Sequence, residues 1–116
     1  MASDTILQRQ TFQPGDKIFK EGEDGNLAYV VQSGEVEIVK NIDGEDTVLG
    51  SITQGGIFGE MALIDSKPRM ASARCLKGAT IIVVTRAMFD EKMKSSDPFI
   101  RGLLNILVDH IRRADQ

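Results

Sequence analysis

Residues 55–73, GGIFGEMALIDSKPRMASA, hold the side chains best suited to binding chemistry. Gly55, Gly56 and Gly59 admit positive φ and close backbone approach, so the stretch can bend tightly and present bare amide N–H groups. Met61-Ala62-Leu63-Ile64, behind a Gly-Glu entry, is too short for a strand of its own and suits one helical turn. A helix that begins at Gly59-Glu60 turns its unpaired N–H groups and positive dipole end toward whatever precedes it, a place suited to an anion. Arg69 follows with a rigid fork of donors matched to two phosphate oxygens. Glu60 is the odd member, because a carboxylate repels phosphate. It fits if it accepts a hydrogen bond from a hydroxyl beside the phosphate, such as a ribose 2′-OH.

Strands must position these groups. Residues 1–10 carry Ile6 and Leu7 among polar neighbours and read as a short helix or a leading arm. Pro14-Gly15-Asp16 is a turn between two short extended pieces, and Glu21-Gly22-Glu23-Asp24-Gly25 is a polar loop. Residues 27–32 are an apolar run and Ser33-Gly34 is a turn. Residues 35–40 alternate with Val36 and Ile38 on one face, which predicts a hairpin with one wet side. Another turn at Asp43-Gly44 leads to a strand over 47–52. Beyond the glycine-rich stretch, 72–77 and 79–85 are two strands around Lys77-Gly78. Ile81-Ile82-Val83-Val84 is apolar throughout and is expected to be buried on both faces. Short strands at this spacing indicate a β-sandwich or jelly roll.

The pattern changes at Thr85, which can cap a helix carrying Ala87, Met88 and Phe89. Ser95-Ser96-Asp97-Pro98 breaks it and starts another, with Asp97 as N-cap and Pro98 at the first helical position. In this last helix Arg101, Asn105, Asp109, Arg112 and Gln116 form a polar face. Ile100, Leu103, Leu104, Ile106, Leu107, Val108 and Ile111 form an apolar arc wider than one core contact requires. Either two surfaces bury that arc, or part of it stays exposed until something binds.

Phe58-Gly59-Glu60-Met61-Ala62-Leu63-Ile64, then Pro68-Arg69, then Ala71-Ser72, closely resembles the phosphate-binding cassette of cyclic-nucleotide-binding domains. That family includes regulatory subunits of cAMP-dependent protein kinase, catabolite activator proteins and cyclic-nucleotide-gated channels. Phe12-Gln13-Pro14-Gly15-Asp16, Ile18, Glu21-Gly22, Tyr29-Val30-Val31 and Ser33-Gly34-Glu35-Val36 extend the resemblance upstream. It implies a single domain over 1–116, mainly β with flanking helices. The expected form is a β-roll or jelly roll of about eight antiparallel strands over about 11–85, interrupted by a short phosphate-binding helix. Helices over about 86–94 and 98–114 would follow, the last swinging over the base as a lid.

The ligand would be cAMP, with cGMP as the second candidate. Arg69 and backbone N–H groups near Ala62 and Ala71 would hold the phosphate, and Glu60 with the N–H of Gly59 the ribose. Phe58, Met61, Met70 and Ser72 complete the candidate binding set, and Leu103, Leu107 and Ile111 are candidates for the lid. The residue after the arginine is usually small, and a threonine there helps cGMP-selective members hold guanine. Met70 offers no hydroxyl, which leans the expectation to cAMP. A sensing module that moves its C-terminal helices follows, signalling to a protein partner, to a parent protein, or by self-association through the last helix. The alternative is an interaction module of the same fold that has lost nucleotide binding.

Bulk properties exclude other classes. The 116 residues are 41% hydrophobic and 27% charged, ordinary for a globular chain. A net charge of −3 argues against a nucleic-acid partner. No apolar run approaches the roughly 18 residues of a membrane span, and the first residues lack a charged-then-apolar pattern, so neither a span nor a secretory leader is expected. The single cysteine, Cys75, fits a reducing cytoplasm and a small core residue. His110 is the only histidine, with no second His, Cys or acid pair beside it. No metal site, cofactor or catalytic group is therefore expected, nor a cupin-like enzyme. Glu21, Glu23 and Asp24 lack the spacing of a calcium loop.

Overall fold

The computed structural model describes residues 8–114, so the arm expected around Ile6 and Leu7, and Gln116 on the last helix, lie outside the described residues. Six antiparallel strands form one sheet: β1 (Gln8–Phe12), β2 (Lys17–Phe19), β3 (Leu27–Ile42), β4 (Glu45–Ile52), β5 (Ile57–Phe58) and β6 (Ser72–Thr85). The order β1-β6-β3-β4 is extended by β2 on β6 and β5 on β3, and the sheet does not close into a barrel. Three helices flank it: α1 (Met61–Asp65), α2 (Arg86–Lys94) and α3 (Pro98–Ala114).

The mainly β architecture is as expected, but among the described residues the strands number six rather than about eight. β3 and β6 run straight through Ser33-Gly34 and Lys77-Gly78, where turns were anticipated. Gly34 and Gly78 have φ of 91° and 94°. The register of β3 on β6 shifts between Val31 and Ser33 and again between Gly34 and Val36. These are bulges, which bend a strand and strengthen its twist without ending it. Gly34 has a second constraint, because a Cβ there would come closer than 3.0 Å to the Gly78 carbonyl and to Ala79 Cα.

The core joins Tyr29, Val31, Val36, Phe58, Ala73, Cys75, Ala79, Ile81 and Val83. Cys75 is fully buried in it. Ile81 and Val83 are buried, whereas Ile82 and Val84 are only half-buried, contrary to the expectation of burial on both faces. The second face of β6 is only partly covered. In β3, Ile38 is half-buried and Val39 takes the fully buried place. The pairing with β4 slips between those two residues, which moves the alternation by one position.

Thr85 caps α2, its Oγ1 accepting from the Met88 N–H at 3.2 Å. Asp97 Oδ1 accepts from the Phe99 N–H at 2.8 Å and so caps α3. The rotation of α3 is the main surprise. Arg101, Leu104, Val108 and Arg112 turn toward the protein, while Leu103, Ile106, Leu107 and Ile111 are exposed. Charged side chains take inner positions because carbonyls await them: Arg101 Nη1 donates to the Met93 carbonyl at 3.1 Å, at the end of α2. Much of the apolar arc is left uncovered.

Two substitutions separate steric exclusion from backbone strain. Gly34→Ala is expected to lose about 3 kcal/mol, from positive φ plus overlap with backbone. Gly78→Ala meets nothing closer than 3.5 Å and is expected to lose about 1–2 kcal/mol from φ alone. Urea unfolding of the two variants checks the ranking.

Candidate functional site

A turn and one short helix build the site. Gly59 has φ of 77°, which glycine tolerates, and a Cβ there would press on Arg69 Nη1 and on the rings of Phe19 and Tyr29. The chain then enters α1 at Glu60, whose carbonyl accepts from the N–H groups of Leu63 at 3.1 Å and Ile64 at 3.3 Å. Ala62 and Leu63 anchor α1 by burial. Ser66 ends it in the left-handed region at φ 57°, its N–H donating to the Ala62 carbonyl. The polar loop before β3 is also part of the construction. The Arg69 N–H donates to the Glu23 carbonyl at 2.9 Å, and the Gly22 N–H to the Arg69 carbonyl at 2.8 Å. These two bonds fix where the arginine backbone lies.

The Arg69 side chain is only 6% exposed, the one charged residue in the core among the described residues. Nη1 donates to the Gly59 carbonyl and Nη2 to the Leu27 carbonyl, both at 2.8 Å. The Phe19 ring centroid lies 4.1 Å from Cζ. Burial draws the guanidinium pKa below its ordinary value, opposed by Tyr29, Glu23 and Glu60. Burial likewise raises the Tyr29 phenol, with Arg69 pulling the other way. Nε is buried and has no partner, and the same is true of Glu60 Oε2. A lone buried donor and a lone buried acceptor are each costly.

Both residues line one cavity of about 180 Å³. Phe58, Gly59, Glu60, Met61, Ala62, Arg69, Met70 and Ala71 wall it, all in the expected set. Phe19, Ile38, Ile52, Ile57 and Arg112 join them without having been anticipated. Ser72 lies elsewhere: its Oγ accepts from the Glu21 N–H at 2.9 Å and borders a separate polar groove. Leu103, Leu107 and Ile111 are exposed and do not reach the cavity. The described residue of α3 that does is Arg112, which pairs through Nε and Nη2 with Asp65 and donates from Nη1 to the Pro68 carbonyl at 3.0 Å.

Three of the contributors that escaped sequence reasoning act on Arg69 or are Arg112 itself. Gly25 looks like any loop glycine, yet a Cβ there would collide with Nε, Cζ and Nη2 of Arg69. Phe19 sits beside the strand residue Ile18 with nothing to distinguish it from core. Arg112 was visible only as one member of a polar face.

The family description that matches residues 9–96 is the cyclic nucleotide-binding domain. That match covers well over half of the chain, and the chain belongs to this family. It is 36% identical over 112 residues to a cAMP-dependent protein kinase regulatory subunit of Yarrowia lipolytica, covering 94% of this chain and 26% of the subunit. It is 28% identical to a cyclic AMP receptor protein of Thermus thermophilus, covering 96% of this chain and 52% of that protein. Among solved structures, an EAL enzyme in its cAMP-bound form superposes with a TM-score of 0.88 at 34% identity, over 93% of this chain and 29% of the enzyme. The chain thus spans between about a quarter and a half of these relatives' lengths. Among the described residues no helix is long and apolar enough to cross a membrane.

Gly25→Ala tests the seating of the arginine. Gly25 does not occupy the positive-φ region, so on backbone grounds alanine should stabilise by about 0.5 kcal/mol. The collision with Arg69 is expected to reverse that into a loss of about 1–3 kcal/mol. In an Arg69→Ala background the loss should vanish. Thermal unfolding of the two single variants and the double variant completes the cycle.

Proposed function

We propose that this chain is a cyclic-nucleotide sensing module, with cAMP the preferred ligand and cGMP the second candidate. The observation that carries the reading is the pair of orphaned buried atoms on one cavity wall, a donor at Arg69 Nε and an acceptor at Glu60 Oε2. A cyclic phosphate beside a ribose 2′-OH supplies the complement of each: an anionic acceptor for the first and a hydroxyl donor for the second. The first-turn N–H groups of α1, around Ala62, add donors of the right sign. Apolar walls from Ile38, Ile52, Ile57 and Met70 suit the flat face of a purine. Met70 offers no hydrogen-bonding hydroxyl to a guanine amino group, which supports cAMP.

Relatives named for cAMP support the same preference, while an EAL enzyme in a cGMP-bound form, 34% identical with a TM-score of 0.86, keeps the second ligand in view.

Signalling follows from Arg112. It ties α3 both to the end of α1 and to the residue preceding Arg69. The cavity, at about 180 Å³, is smaller than the roughly 300 Å³ at which ligand pockets begin. A nucleotide therefore enters with a displacement of the cassette or of α3, and Arg112 couples the two. Ligand binding shifts a two-state equilibrium by its differential affinity for the two positions of the helix. Output passes to a protein partner, or to a second copy, through the exposed apolar side of α3, where Phe99 is 71% exposed. The module regulates rather than catalyses, and its buried free thiol at Cys75 suits a reducing cytoplasm. Leu103, Leu107 and Ile111 would serve as a lid only after α3 rotates toward the cavity.

A second reading has one observation in its favour. Two of the three guanidinium nitrogens of Arg69 are already satisfied by backbone carbonyls, as they would be in a fold-only interaction module. Calorimetric titration with cAMP and cGMP decides: heat of binding to either supports the sensor, and flat traces with both support the interaction module. Arg69→Ala is expected to weaken binding on the order of 100-fold. Arg69→Lys should weaken it less, because the fork is lost but the charge is kept. Glu60→Gln should cost about tenfold. For the coupling, Arg112→Ala is expected to speed amide exchange in residues 108–113 about tenfold in the ligand-free protein. The nucleotide should then no longer alter exchange there.

A further inference from the structure

The cassette motif names the arginine but not what holds a buried guanidinium still. Carbonyl bonds from Nη1 and Nη2 fix the group within its own plane. They do little against tilting out of it. Arg69 Cζ lies over the Phe19 ring, 4.1 Å from its centroid, against 5.9 Å for Tyr29, so Phe19 is the nearer aromatic restraint on the group. The face of an aromatic ring is negative and attracts a cation, most strongly where water is excluded. Phe19 is itself immobilised. Its ring lies 6.0 Å from Tyr29 and 6.1 Å from Phe58. The register of β2 on β6 shifts between Lys17 and Phe19, and such an irregularity re-aims the side chain that follows. Phe19 also walls the cavity.

We infer that Phe19 is a positioning residue for ligand binding: it holds the Arg69 guanidinium at the angle that keeps Nε available on the cavity wall, and through Arg69 it sets the affinity for the cyclic phosphate. This inference rests on the cyclic-nucleotide reading above. Phe19 acts by the charge distribution of its ring as well as by its bulk, and the two contributions can be separated.

The test uses the full chain with Phe19→Leu, Phe19→Tyr, and phenylalanine analogues carrying one, two or three ring fluorines at position 19. Fluorine drains the negative face while nearly preserving shape. Ile18→Val, at the half-buried neighbouring position, controls for lost packing. Calorimetry reads cAMP affinity, and NMR of the ligand-free protein reads solvent exchange of the Arg69 Nε–H. Phe19→Leu is expected to weaken cAMP binding about 5–20-fold and to speed Nε–H exchange. Tyr should restore affinity to within about twofold, each added fluorine should weaken it further, and Ile18→Val should leave Nε–H exchange unmoved. An affinity flat across the fluorine series, with Nε–H exchange unchanged in Phe19→Leu, overturns the inference. Should the parent chain bind neither cAMP nor cGMP while Nε–H exchange still depends on Phe19, the cyclic-nucleotide reading fails and the positioning of Arg69 stands.

Discussion

A cation kept out of water must be answered by its surroundings, and the interior of this protein is arranged to answer one. Arg69 draws on parts of the chain far apart in sequence: the Leu27 carbonyl at the start of β3, the Gly59 carbonyl before α1, the Phe19 ring on β2, and the side-chain-free backbone at Gly25. Uncompensated burial of a guanidinium would cost several kcal/mol. The four contributions therefore act as a set, and the loss of any one exposes the cost the others were offsetting. The positive φ of Gly59 and the backbone bonds linking Arg69 to Gly22 and Glu23 serve the same end. Of the three guanidinium nitrogens, Nε is left with no partner. An anion is the natural completion.

The cassette and the last helix meet through a second arginine. Arg112 spans from α3 to Asp65 and to the Pro68 carbonyl, so charge ties the helix to the segment bearing Arg69, beside the inward-turned Leu104 and Val108. Interactions of that kind reorganise when a neighbouring charge changes, whereas interdigitated apolar surfaces resist it. Four other apolar residues of α3, Leu103, Ile106, Leu107 and Ile111, are exposed. One helix thus carries a mixed inner side, with Arg101 and Arg112 beside Leu104 and Val108, and a largely apolar surface on its outer side.

How much of this was legible follows from where each signal lies. Gly59, Glu60 and Arg69 belong to one contiguous stretch whose residue types state their chemistry, and the structure sets them around one cavity. Thr85 and Asp97 were readable as caps because capping is local. Gly25 and Phe19 were not, because their roles exist only once β2 and the loop after it are folded against residue 69. Ser33-Gly34 and Lys77-Gly78 carry the composition of turns. Only the pairing of β3 with β6 makes them bulges instead. Periodicity divided α3 into a polar face and an apolar arc, but the inward side takes Arg101 and Arg112 from the first and Leu104 and Val108 from the second. Carbonyl and carboxylate acceptors on α1 and α2 decided that.

The pairing of β3 with β6 also has a kinetic side. Val39 sits opposite Ser72 and Leu27 opposite Thr85, so this ladder closes a long loop, and β4, β5 and α1 all lie within it. Closing such a loop is entropically costly before its contacts repay it, and chains dominated by distant pairing fold on the millisecond-to-second scale. The binding segment is framed in part by β3, through Ile57 and Phe58, but β2 with Phe19 pairs only with β6 among the described strands. During synthesis, when residues 72–85 have not yet emerged, β2 and its Phe19 have no strand to pair with, so the finished site arrives late.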